Sequence, residues 1–353
     1  MKPQLKLQKA PADVVRPRDD AAVDAASAAP EAVNDASHEG VEPAPPATSL
    51  PEAEPAPAAI KAEPVRLRRR MTLEDAFRRM GLNCLRQMQA NVPGVLARDV
   101  ESLHQMRVGL RRLRALLGMF EDLAALPPGL AADVEWLSGA LGATRDWDVL
   151  VESTIDRIAG IDTHALRESA KSKAAVMHRE MLHTLEEPRF AALLEGLDAW
   201  LDGRQWRMPP DEALPKKAPL AQPAAVGAQP LLRRAEKRLK KRIASLDVAD
   251  APARHRVRIA AKKARYSAEF FRDLLPKGTV KKYIGRLSAL QDRLGELNDL
   301  AVASRLLPQL QHGHGELARE ASYARGYVLA ASEGDARSLG KALKRAARLR
   351  LTS

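Results

Sequence analysis

The chain of 353 residues repeats itself, and that repeat limits the folds open to it more than any other feature. Leu103-His104-Gln105-Met106-Arg107-Val108-Gly109-Leu110-Arg111-Arg112-Leu113-Arg114 is matched without a gap by Arg254-His255-Arg256-Val257-Arg258-Ile259-Ala260-Ala261-Lys262-Lys263-Ala264-Arg265, each basic position of the first copy returning 151 residues later. A second pair follows, Leu141-Gly142-Ala143-Thr144-Arg145-Asp146 and Leu294-Gly295-Glu296-Leu297-Asn298-Asp299, at an offset of 153. Matched charged positions at a nearly fixed spacing imply two copies of one supersecondary unit, and an apolar period near 3.6 makes that unit helical. The expected fold is all-α, two pseudo-twofold-related helical-bundle halves around a basic central groove or channel.

Ala, Leu, Arg and Glu dominate while Gly and β-branched residues are sparse, which argues against sandwiches, barrels and Gly-rich nucleotide folds. No apolar run approaches a membrane span, so no membrane partner is expected. The one cysteine, Cys84, cannot form an internal disulfide, and the amino terminus lacks the apolar core of a secretory signal. A cytoplasmic location follows as the expectation, with Cys84 as a buried thiol.

Residues 1–70 read as a disordered Ala/Pro/Glu-rich tail that buries nothing. Thr72-Leu73-Glu74-Asp75 resembles a capping box, and the first helical half is expected over 71–206 with breaks at Pro93, Pro127-Pro128 and Pro188. A Pro/Ala-rich linker over 207–230 separates it from a second half over 231–353. Of the net charge of +12, the tail carries −1, so the positive charge belongs to the folded part.

On a wheel of about 100° per residue with His104 at zero, Arg107, Arg111 and Arg114 fall near 300°, 340° and 280°, clear of the apolar side. His255, Arg258, Lys262 and Arg265 repeat those angles. Within both stripes the usual intervening carboxylates are absent, although i,i+4 pairing with Glu is how an ordinary solvated helix face relieves repulsion. Arg, Lys and His donors spaced one turn apart, about 5 Å along the axis, suit a linear row of phosphates.

The pattern His-x-x-Arg-x-x-x-(Arg/Lys)-(Arg/Lys)-x-Arg followed by Leu-Gly-x-x-(Arg/Asn)-Asp, present twice in order over about residues 72–353, resembles the CHAD family (conserved histidine α-helical domain) in its free-standing form. The resemblance implies binding of inorganic polyphosphate, association with polyphosphate granules and no catalysis. It implies as ligand-facing residues His104, Arg107, Arg111, Arg112, Arg114 and Arg145, with His255, Arg258, Lys262, Lys263 and Arg265. Asn298 departs from the pattern where the first half has Arg145, which leaves the second half one cation fewer. No Glu-x-Glu-x-Lys motif of the triphosphate-tunnel enzymes often fused to CHAD domains occurs here.

The helices that open each half add Arg79, Arg86, Arg234, Lys237, Arg238 and Lys241 as weaker polyphosphate candidates. Asp146 and Asp299 are read as structural partners of nearby arginines, and Gly142 and Gly295 as points of close helix approach. His104 and His255 are expected to bond phosphate, more strongly when protonated near pH 6. His312 and His314 lack further metal ligands at suitable spacing, and Gly334 to Gly340 fails the P-loop pattern. No metal, cofactor or catalytic residue is therefore assigned. The alternative partner is nucleic acid on the same basic helices, although no aromatic residue interleaves the stripe to stack a base. A phosphohydrolase or polyphosphate kinase ranks behind both for want of a phosphate loop, metal cluster or nucleophile. Granule proteins are possible partners of the tail.

Overall fold

Helix α1 (Leu73–Ala90) starts where the sequence places it. Thr72 is the N-cap, its side-chain oxygen accepting from the Asp75 backbone N–H at 3.0 Å and donating to the Asp75 carboxylate. The short α2 (Val92–Leu96) carries Pro93 in its first turn, where a missing N–H costs nothing. Helices α3 (Val100–Phe120) and α8 (Ala251–Phe270) are capped alike, by Asp99 on the Ser102 N–H and by Asp250 on the Ala253 N–H. Between and after them run α4 (Pro128–Val149), α5 (His164–Glu186), α6 (Pro188–Asp202), α7 (Ala224–Ala244), α9 (Lys277–Leu306), α10 (Glu316–Ala336) and α11 (Gly340–Ala347). This computed structural model describes residues 58–207, 219–311, 315–336 and 339–351, and among them no β-strand occurs. His312 and His314 lie outside the described residues, as does most of the 1–70 tail.

Two expected boundaries move. Helix α7 begins at Ala224, not at Leu231, and runs through Pro230. Pro230 withholds its N–H from the Val226 carbonyl, but both residues are exposed there and water can serve that oxygen. The end of the tail is also ordered against the body. Leu67 is buried, its N–H donates to Asp273 Oδ2 at 3.1 Å, and Ile60 exchanges two hydrogen bonds with the buried Asn91 side chain.

The repeat is visible in these boundaries, since α1 and α7 begin 151 residues apart and so do α3 and α8. The entries to α1 and α7 lie side by side. Leu73 N–H donates to Gln222 O at 2.8 Å and Ala224 N–H donates to Met71 O at 2.7 Å, each donor 151 residues from the other and each acceptor likewise. Residues 54–353 form one compact unit, without a division at the linker.

The interior holds two apolar clusters. The larger includes a cage of Phe77, Phe120, Trp200 and Trp206, with Phe77 and Phe120 4.5 Å apart between centroids. The smaller gathers Trp147 of α4, Leu166 of α5, Leu300 of α9 and Val328 of α10, with Leu150 and Leu307 from the short helical turns that directly follow α4 and α9. Helix α4 leaves the first cluster at Leu141 and joins the second at Trp147; α9 leaves it at Leu297 and joins at Leu300. The stretch between the two ends in Arg145-Asp146 on α4 and is Asn298-Asp299 on α9. The last two residues of the repeated Leu-Gly-x-x-(Arg/Asn)-Asp motif thus form a polar layer set between apolar ones.

Candidate functional site

Helix α3 packs against α8, and α4 against α9, so the two copies of each motif share one neighbourhood. Arg107 and Arg111 come from α3, Arg258 and Lys262 from α8. All four are half-buried, and none makes a side-chain hydrogen bond or ion pair with another described residue. The Nε atoms of Arg111 and Arg258 are shut off from solvent without an acceptor. The terminal N–H groups of Arg107, Arg111 and Arg258, also without an acceptor among the described residues, are the ones able to donate to a ligand.

These cations depress one another. Burial, then Arg258, Arg111 and Arg265, bring the Lys262 ammonium from 10.5 down to about 7. Burial, then Arg111, bring Arg107 down to about 10 despite opposing Asp146, and Arg258 is lowered for the same reasons. Asp146 and Asp299 face the group from α4 and α9. Burial raises both pKa values against the pull of Arg107 and Arg258 respectively, and Asp299 adds to the rise at Asp146. Four cations against two carboxylates leave the layer positive. The stripes therefore do have counter-charges: Asp146 and Asp299 reach the four cations from other helices, as read from the sequence, and Glu269 pairs with Arg265 from four residues on along α8 itself.

His104 is exposed and its pKa lies below 6.5, lowered by burial of the ring and by Arg111, Arg145 and Arg107, with Glu101 opposing. That direction works against the protonated form which the sequence leads one to expect on phosphate. His255 has Nδ1 2.9 Å from Asn298 Oδ1, so the asparagine that replaces Arg145 fixes the imidazole of its own half.

Other expected site residues are engaged elsewhere. Arg114 donates to Glu135 at 2.5 Å and to Ser138, and Arg265 donates to Glu269 at 2.6 Å and Gln291 at 2.9 Å. Arg112 turns to α1, where Gln87 and Asn83 accept its hydrogen bonds. Arg145 donates to Glu152 at 2.7 Å. Lys263 lies with Arg234 and Arg238 on a different side of α8. Arg79, Arg86, Lys237 and Lys241 are exposed. Gly142 and Gly295 do not mediate close approach, because a Cβ at either would meet open space.

The sequence reading missed Arg305, whose charge acts on Asp146. It follows Asn298 by seven residues, two helical turns, just as Glu152 follows Arg145. The first half carries an Arg–Glu pair at these positions and the second an Asn and an Arg, so Arg305 restores the cation that Asn298 removes. Reading position 305 against position 152 at the known offset would have found it.

Cys84 is fully buried and burial pushes its thiol up to about 12. Among the described residues no group of three or more His, Cys, Asp or Glu side chains is placed to hold a metal ion, and no helix is long and apolar enough to cross a membrane.

The CHAD domain model matches residues 79–308, and the chain belongs to the CHAD family. The crystal structure of the CHAD domain from the plant Ricinus communis is similar at a TM-score of 0.75 and 35% identity, over 84% of this chain and 99% of that one. PptA from Streptomyces chartreusis shares the fold at a TM-score of 0.56 and 17% identity, over 78% of this chain and 99% of that chain. No match was found among curated proteins.

Proposed function

We propose that the chain binds inorganic polyphosphate without catalysing a reaction on it, in a basic channel centred on Arg107, Arg111, Arg258 and Lys262, and that it does so at polyphosphate granules. The observation that carries this reading is the convergence of those four half-buried cations, contributed by both halves and left without side-chain partners among the described residues. Holding like charges together costs stability unless an anion joins them, and the general link of the CHAD family with polyphosphate names the anion. A linear chain of phosphates offers one negative charge per unit along its length, which matches a row built across two helices.

Arg107→Ala with Arg258→Ala is expected to abolish retention of long-chain polyphosphate while far-UV helicity persists; retention by the double variant would refute the assignment. If all four cations engage phosphates, log affinity should fall with log salt at a slope of about −3, taking the single-strand value per contact. Competition with oligonucleotides at equal phosphate separates this reading from nucleic-acid binding. A fluorescently tagged chain should collect in foci only in cells that store polyphosphate.

A further inference from the structure

One position is used differently by the two halves. In the first, Arg112 of α3 donates to Gln87 Oε1 at 2.8 Å and Asn83 Oδ1 at 3.0 Å on α1, with its guanidinium 5.5 Å from the centroid of the Phe270 ring. At the offset of 151, Arg112, Asn83 and Gln87 become Lys263, Arg234 and Arg238. The helices that carry them begin at the same offset. Two amides that accept hydrogen bonds are thereby replaced by two guanidiniums that can only donate, so a cation faces cations where its counterpart finds two acceptors.

The consequence is a small cleft between α3, α7 and α8, lined by Lys263, Arg234, Arg238, Gly118, Met119 and Ser267. Arg234 is anchored to the Asp122 carboxylate and to Met119 O at 2.5 Å, which fixes it as a wall. The Lys263 ammonium has no hydrogen-bond partner among the described residues. Its neighbouring charges are Arg238 and Arg114, which repel it, and Glu121, which attracts it. Gly118 leaves it room, since a Cβ there would stand 3.3 Å from Nζ. In the first half Gly109 lets α1 close on α3, a Cβ there meeting Met88 Cγ at 2.9 Å; its counterpart at the offset, Ala260, carries a methyl and lines the cleft.

We infer that this cleft is a second anion site, taking a compact phosphoanion of one or two linked phosphate groups, with Lys263 and Arg238 as adaptable donors and Arg234 as a fixed one. It is separate from the layer described above, since none of Arg107, Arg111, Arg258 and Lys262 lines it. The inference does not rest on the polyphosphate reading and stands or falls without it.

The test is calorimetric titration of the full chain with pyrophosphate and, in a parallel arm, orthophosphate. The variant R234N/R238Q/K263R installs the amide network that the first half already accommodates, and Lys263→Met removes the ammonium alone in case the triple change disturbs folding. Pyrophosphate affinity is expected to drop about tenfold or more in either variant, and to persist in R107A/R258A. Similar affinity for both anions would assign the site to a single phosphate; preference for pyrophosphate would assign it to linked groups such as a chain end. No binding by the parent in either arm, or unchanged affinity in both cleft variants, would overturn the inference.

Discussion

Lys262→Met should make the protein more stable, by an amount that depends on pH. The lysine titrates near 10.5 in an unfolded chain and about 7 in the fold. At roughly 1.4 kcal/mol per unit, a shift of that size corresponds to about 5 kcal/mol at full effect. Lys262 keeps part of its side chain in water, which screens the repulsion from Arg258 and Arg111, and about 2 kcal/mol is expected. The sign follows from proton binding. Below about pH 7 both states are charged and the folded state bears the whole penalty; between 7 and 10.5 the unfolded chain binds more protons, so the parent gains stability as pH rises. The variant, unable to titrate there, should therefore exceed the parent by about 2 kcal/mol at pH 6 and by less than half of that at about pH 10.5. Urea denaturation followed by far-UV circular dichroism at the two pH values measures both differences. An advantage equal at the two pH values, or a variant no more stable than the parent at pH 6, would refute the electrostatic account. Added polyphosphate should reverse the order at pH 6, because it stabilises only the form that holds it.

Asp146→Asn with Asp299→Asn removes the two carboxylates facing the cations, and long-chain polyphosphate should bind several-fold tighter in a filter-retention titration; equal or weaker binding would count against their placement. Arg114→Ala breaks an exposed pair with Glu135 and should cost under about 1 kcal/mol in denaturant with retention of polyphosphate unaltered, in contrast to Arg107→Ala. Glu74→Gln weakens the knot in which buried Glu74 accepts from Arg204, Arg207 and Trp206, for an expected loss of about 1–3 kcal/mol at pH 7. Burial opposes ionisation of Glu74, but hydrogen bonds from Arg207 and Trp206 outweigh it and hold the pKa below 4.5. The parent should keep that contribution above pH 4.5 and lose it as pH falls through the lowered value, whereas the variant should show a shallower acid transition in the same urea assay.

Much of the helical framework can be read directly from the chain. Thr72 caps α1, Pro93, Pro128 and Pro188 stand in first turns, and the basic segments lie on α3 and α8 with their apolar residues inward. The fate of each cation is a different matter. Arg107 and Arg114 share almost one azimuth on α3, yet Arg107 lies unpaired in the polar layer while Arg114 meets Glu135. Helical period fixes the direction in which a side chain leaves its axis; the group it meets belongs to another helix, twenty-one residues away for Glu135, and no local pattern carries that information. Pro230 misled for a related reason. A proline costs a helix one hydrogen bond and a ring clash with the carbonyl four residues back, less where that residue is open to water, and the exposure of Val226 could not be known before α7 was packed.

The crossed pair of backbone bonds at the entries to α1 and α7 has the form of an isologous contact, in which residue i meets j and j meets i. In most proteins that reciprocity joins two separate subunits and fades as the solution is diluted. Here both partners lie on one polypeptide, so the seam survives at any concentration, and its two sides need not be identical: Asn298 stands where the other copy has Arg145, and Lys263 where it has Arg112.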